Sequence, residues 1–422
     1  MQSRYLTDNS IKLAALALAI LPGGCQQDKG WEGSMEKLLR SQPERFATVM
    51  ENPEKHRVQI IYTQIDRDAT NRPTFKSFTY RVNPDEYFYP ASTVKLPTAL
   101  LALEKINRLG IPGLTRDTTM LTGVATELQT PATTDPGSPT GLPSISHYVR
   151  KILLVSDNDA FNRLYEFIGQ KPLNDALWQK GYRNTRIFHR LEVARNADEN
   201  AKTNPVEFID QGNVVYQQDS QTSDYNYAAA KPVLLGRAEM VNGERLDRPK
   251  DFSGNNVFAL QDLHDLTQAL MFPEYVDPQR RFNLTDDDYR FVYENMSAYP
   301  AESGIAEYLD AEQYPEGYIK FLMYGGSAPS IPKNIRIFNK PGDAYGFLTD
   351  SAYIVDFENG VEFLLAATIY TNANGTFNDD NYEYKAIGFP FLRDLGLAIY
   401  EVELARERKV APDLSRFRLG SR

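Results

Sequence analysis

The order of strand-like and helix-like segments limits the fold of this chain most. Two alternating, β-branched stretches, "RVQIIYTQID" and "TFKSFTYRV", stand near the start, joined by a polar turn at Asn71-Arg72-Pro73. Three more, "NIRIFNKPG", "SAYIVDF" and "VEFLLAATIYTN", stand near the end, and Glu358-Asn359-Gly360 is a hairpin signal between the last two. The middle has helical periodicity, in "ISHYVRKILLVS", "DAFNRLYEFIG" and "FALQDLHDLTQALMF". Strands at both ends and helices between them predict an α+β fold of two lobes. The ends pair into one antiparallel sheet. A first helix in "MEKLLRSQPERFATVME", broken near Pro43, and a closing helix over about 385–408 cover it. The second lobe is helical, over about 93–330. Within it, 111–143 is rich in Thr, Pro and Gly and reads as loop. Residues 196–255 are polar and weakly periodic and read as an insertion.

Composition removes several classes of function. The chain has 422 residues, a formal net charge of −10 and no Lys/Arg-rich run, which argues against a nucleic-acid partner. Its four histidines, His56, His147, His189 and His264, are scattered, and Cys25 is the only cysteine, so no metal site is expected. No repeat and no nucleotide-binding glycine loop is present. At the start, Arg4 and Lys12 precede the apolar run "LAALALAILPGG", which is too short to span a bilayer and has the form of a secretion signal.

Chemistry enters at "YPASTVKLPTALLALEKIN". Ser92 and Lys95 stand one turn apart at the start of an apolar helix that reads as buried, with Pro97 tolerable only near its beginning. A lysine so placed can take the proton of a serine hydroxyl and make it a nucleophile. Serine also favours helix starts for capping alone, and S-x-x-K occurs twice more, at Ser34 with Lys37 and Ser330 with Lys333. The second motif is Ser156-Asp157-Asn158, between two helices. The third is Lys340-Pro341-Gly342, at the end of a strand. Separations of 64 residues from Ser92 to Ser156 and 184 from Ser156 to Lys340 follow from the numbering. This ordered trio, in this order of strands and helices, resembles the class A β-lactamase family of serine hydrolases over about residues 35–410.

The resemblance implies roles residue by residue. Ser92 would attack a carbonyl and form an acyl-enzyme, with Lys95 as base. Ser156 would relay a proton to the leaving nitrogen. Asn158 would bind the substrate amide and Lys95, and Lys340 would attract a substrate carboxylate. The N–H groups of Ser92 and Asp343, beside Gly342, would form the oxyanion hole. It implies no cofactor and a monomer acting on a β-lactam or a peptidoglycan-derived substrate. The alternatives are a penicillin-binding peptidase or esterase, and a weakly catalytic β-lactam or muropeptide binder.

Two positions depart from the family pattern. Pro341 replaces a Thr or Ser. The deacylating E-x-x-L-N loop has no direct match in "GYRNTRIFHRLEVARNADEN". Counted from Thr185-Arg186, Glu192 falls one residue from the expected place. Counted from Arg190-Leu191, Arg195 falls there. Glu192 is the leading candidate base, before Asp198 and Glu199. Small residues ahead of the lone Cys25 resemble a bacterial lipoprotein site, with Pro22 where an aliphatic residue is usual. The expected organisation is a signal peptide over 1–24, lipidation at Cys25, a tether over 25–34, the catalytic domain over 35–410 and a tail over 411–422. That places the protein in the periplasm or cell envelope, touching membrane only through the lipid.

Overall fold

The computed structural model describes residues 33–326 and 330–419. The signal, Cys25 and most of the tether lie outside the described residues.

Helices α1 (Met35–Arg40) and α2 (Pro43–Met50) meet at a break where Pro43 opens the second helix. Proline fits there because a first-turn N–H has no intrahelical partner. Strands β1 (Gln59–Arg67) and β2 (Pro73–Tyr80) follow. At the other end come β3 (Ile335–Asn339), β4 (Gly342–Ala344), β5 (Phe347–Asp356) and β6 (Val361–Tyr370). They make one antiparallel sheet of order β3-β5-β6-β1-β2, with β4 also pairing β5.

The pleat divides the core. Ile60 and Tyr62, with Phe363, Leu365, Ala367 and Ile369, pack on one face against α1, α2 and the closing helix α9 (Phe389–Ala405). Ile61 and Ile65, with Leu364 and Ala366, face the other way, into the core of the helical lobe. Period-two alternation in sequence thus becomes two separate cores, one on each side of a sheet.

The helical lobe holds α3 (Lys95–Leu109), α4 (Ile145–Val155), α5 (Asn158–Ile168), α6 (Gln170–Gln179), α7 (Leu260–Met271) and α8 (Asp286–Ser297). Helix α3 buries residues on all sides, and Pro97 sits in its first turn, as its composition predicts.

Three expectations are corrected. The stretch 111–143 is not all loop: Thr119–Thr122 pairs with Val206–Asp210. The stretch 196–255 is not irregular. Val206–Asp210 and Asn213–Gln218 form a hairpin, and Ala238–Val241 pairs in parallel with Thr376–Phe377, beyond β6. Thr119–Thr122 and Val206–Asp210 do alternate, burying Met120, Thr122, Val206 and Phe208, but over only 4 and 5 residues, too few for a period to stand out in sequence. The closing helix begins at Phe389, after a wider turn over Tyr384–Gly388.

Candidate active site

Ser92 lies in a short 3-10 turn (Ala91–Val94) that leads directly into α3, so Lys95 opens the α-helix one turn after the hydroxyl. Lys95 Nζ is 2.8 Å from Ser92 Oγ, 2.5 Å from the Ser156 carbonyl oxygen and 3.2 Å from Ser156 Oγ. Ser156 ends α4 in the left-handed conformation, φ 62° and ψ 38°. Glycine usually occupies such a position. Asp157 then caps α5 by accepting the Ala160 N–H. Lys340 follows β3 and donates to Ser156 Oγ at 2.8 Å and to the Pro341 carbonyl at 2.9 Å. Ser92, Lys95, Ser156 and Lys340 therefore form one hydrogen-bonded cluster across the seam between the lobes.

Electrostatics separates the two lysines. Burial holds Lys95 well below the usual lysine range, and the Lys340 charge pushes it further down; Asp157, Glu192 and Asp343 pull the other way. Burial lowers Lys340 to about 7, while Asp350 and Asp343 favour its charged form. Asp343 is exposed to the cleft, yet the surrounding protein raises its carboxyl, opposed by Lys340 and Lys95.

Gly342 is required by a close approach. A Cβ there would lie 2.6 Å from Ser92 N and 2.8 Å from Pro90 O. Only a residue without a side chain lets β4 run beside the Ser92 N–H. Asp343 follows, paired with Leu348 in the ladder. The other S-x-x-K pairs have no such setting. Ser34 caps α1 by accepting the Lys37 N–H at 3.4 Å, and Ser330 with Lys333 lies away from the cluster.

The model of the beta-lactamase enzyme family matches residues 44–401. The chain belongs to that family. No curated protein matches it. Solved structures with a similar course include PBP-A, at 15% identity, 87% of this chain, 96% of that chain and a TM-score of 0.48. A beta-lactamase from Sphaerobacter thermophilus matches at 15%, 86%, 97% and 0.46, and a class A beta-lactamase from Clostridium kluyveri at 15%, 84%, 97% and 0.44.

Against the beta-lactamase pattern, Pro341 falls in the gap between β3 and β4, where its missing N–H interrupts the ladder. Its carbonyl instead accepts from Lys340. Asn158 Nδ2 donates to Glu192 Oε2 at 2.7 Å, whereas the hydrogen bonds of Lys95 go to Ser92 and Ser156. The expected Asn158–Lys95 contact is therefore replaced by an Asn158–Glu192 one. Glu192 is exposed, with φ 62°, at the rim of the cluster. Glu199 is elsewhere engaged: with Asn196 it forms a capping box on the short helix Ala197–Ala201. Asp198 faces a neighbouring cavity.

Reading from Glu192, the chain runs Glu-x-x-Arg195-Asn196, so Asn196 stands where the family loop has its asparagine and Arg195 where it has leucine. The sequence signal was there, but Arg195 hid it. Its guanidinium turns outward to the carbonyls of Leu128 and Ala194.

Proposed function

We propose that this chain is a serine acyl-hydrolase that opens β-lactam or related amide and ester bonds through an acyl-enzyme on Ser92. The observation that carries this reading is the Ser92–Lys95–Ser156–Lys340 cluster. Lys95, desolvated and beside a second cation, is the neutral amine that takes the Ser92 proton as Oγ attacks. The oxyanion forms against the N–H groups of Ser92 and Asp343, next to Gly342. Ser156, bonded to both lysines, passes the proton on to the leaving nitrogen, and the C–N bond breaks. Lys340 attracts a carboxylate on the leaving side. Glu192, aligned by Asn158, draws a proton from the water that releases the acyl group.

A second reading has specific support. Pro341 offers no hydroxyl to a β-lactam carboxylate, and Glu192 is exposed to bulk water rather than enclosed with the acyl carbonyl. Both favour slow release, as in a penicillin-binding peptidase or a β-lactam binder. Fluorescent penicillin followed in time, with intact-mass analysis, separates the readings. An adduct on Ser92 that turns over within seconds supports a β-lactamase; one that persists for hours supports the peptidase or binder. Label remaining on Ser92→Ala sinks both. Export as a lipoprotein modified at Cys25 is a further proposal from sequence alone, checked by the mass of the mature N-terminus.

A further inference from the structure

A cavity of about 330 Å³ opens between α3, α6 and the strand Asn213–Gln218. Its walls are mostly apolar: Leu101, Leu109, Ile168, Pro172, Ala176 and Tyr216. No acid lines it, and two cations do, Lys105 and Arg108. Lys105 stands ten residues beyond Lys95 on the same helix, about 15 Å along its axis, so this space is separate from the catalytic cluster.

Lys105 is half-buried and has no countercharge. Its Nζ donates to the Phe167 carbonyl at 2.5 Å and to Gln218 Oε1, and it lies 4.2 Å from the centre of the Phe167 ring. All these partners are neutral. Lys105 forms no ion pair among the described residues, and the charge that acts on it is another cation: burial, with Arg108 beside it, pushes it down to about 8. Capping α5 does not account for it. The Phe167 carbonyl, in the last turn of that helix, carries only a fraction of a charge, and it also accepts from Gln218 Nε2 at 3.0 Å. Arg108 is exposed and pairs with Glu104, which is held independently by Lys180 at 2.8 Å and by the Asn283 N–H at 2.9 Å. Two cations at an apolar space therefore have one carboxylate between them, and that one is satisfied without either. Partial burial of an uncompensated ammonium is costly, and a ligand that brings a carboxylate would offset the cost. The apolar walls then take the rest of such a ligand. The volume lies at the small end of the range that encloses one.

We propose that this cavity binds a small organic acid with a single carboxylate on an apolar body, the carboxylate against Lys105 and Arg108 and the body against the walls. The site is independent of the acyl-hydrolase reading and stands or falls without it.

Calorimetry with octanoate, 4-phenylbutyrate, octan-1-ol and acetate tests it. Octanoate should bind about tenfold tighter than octan-1-ol, which lacks the charge, and about tenfold or more tighter than acetate, which lacks the body. The tighter of octanoate and 4-phenylbutyrate tells whether the natural acid is alkyl or aryl. The catalytic cleft also attracts carboxylates, through Lys340, and variants separate the two places. Lys105→Met should reduce octanoate to the affinity of octan-1-ol and leave octan-1-ol unchanged, whereas Lys105→Arg should keep the preference. Ala176, half-buried in the wall, can be enlarged to fill the space, so Ala176→Phe should weaken octanoate and octan-1-ol alike, by about tenfold. That variant decides the matter even if Lys105→Met does not fold. No preference for octanoate over octan-1-ol in the wild type, or octanoate binding untouched by Lys105→Met or by Ala176→Phe, would overturn the proposal.

Discussion

Two buried lysines meet on one hydroxyl, Ser156 Oγ, and both cannot comfortably be charged in a space that excludes water. The environment decides which gives way. Burial lowers Lys340 to about 7 although Asp350 favours its charge, and burial together with the Lys340 charge holds Lys95 well below the usual lysine range. This predicts different failures. Lys95→Ala should slow acylation of every substrate by about 10²–10⁴-fold, the usual contribution of a general base. Lys340→Ala should raise KM chiefly for substrates with a carboxylate. In the wild type the same KM should rise as pH passes above about 7 and Lys340 loses its proton, while a neutral ester shows no such rise. Steady-state kinetics on paired anionic and neutral esters checks both; identical losses and identical pH profiles would remove the carboxylate-binding role. The four clustered residues were legible because three motifs occur in order, each unremarkable alone. Glu192 was only half legible, since its loop departs from the pattern at Arg195. If Glu192 is the deacylating base, Glu192→Gln should still acylate Ser92 but release the acyl group about 10²–10⁴-fold more slowly. An unchanged adduct lifetime by mass spectrometry would make it a residue of the cleft rim only.

At the level of elements, the site depends on how near β4 runs to the turn that carries Ser92. Gly342 sets that spacing, because a Cβ there collides with backbone on the other side, which cannot rotate away. Gly342→Ala should push the strand outward and misplace the N–H groups of the oxyanion hole. Loss of one such donor commonly costs about 10²–10³ in rate. The fold should survive, since β5, β6 and β1 hold the sheet without β4. Acylation rates and a thermal melt measure both, and wild-type acylation in this variant would refute the close-approach argument. Long elements were readable for a physical reason. β1, β5 and β6 each run 9 or 10 residues, enough to show which side chains face each core. The pairings in 196–255 involve strands of 2 to 6 residues, and even Val206–Asp210, which buries Val206 and Phe208 in alternation, is too short for its period to stand out in the sequence.

For the whole molecule, the question is what keeps the two lobes in register at the cluster. A third buried lysine answers it. Lys320 donates to the carbonyl of Met296 in α8 at 2.7 Å, to that of Ile337 in β3 at 2.9 Å and to Asn339 Oδ1 at 2.9 Å. Asn339 in turn donates to Asp350 in β5, and the next residue is Lys340. One ammonium with three acceptors thus ties the last turn of the helical lobe to the strand that delivers Lys340. Nothing in the sequence marks Lys320, because its acceptors are two backbone carbonyls and an amide brought together only by folding. Its burial has a measurable cost. The folded protein holds the Lys320 proton only to about pH 7, against an ordinary 10.5. Between these values the unfolded chain binds more protons, so this group makes stability rise with pH across that window; below about 7 its cost is fully present. Asp350, raised to about 6, titrates mostly below the window. Lys320→Met should therefore flatten the rise in unfolding free energy between pH 7 and 10, whatever its effect at any one pH. It should also lower acylation more than Lys333→Met, since Lys333 lies outside the cluster. Urea unfolding at a series of pH values reads the slope. A variant whose slope matches the wild type would show that Lys320 does not titrate in the window, and unchanged acylation would show that it does not hold β3 in place for Lys340.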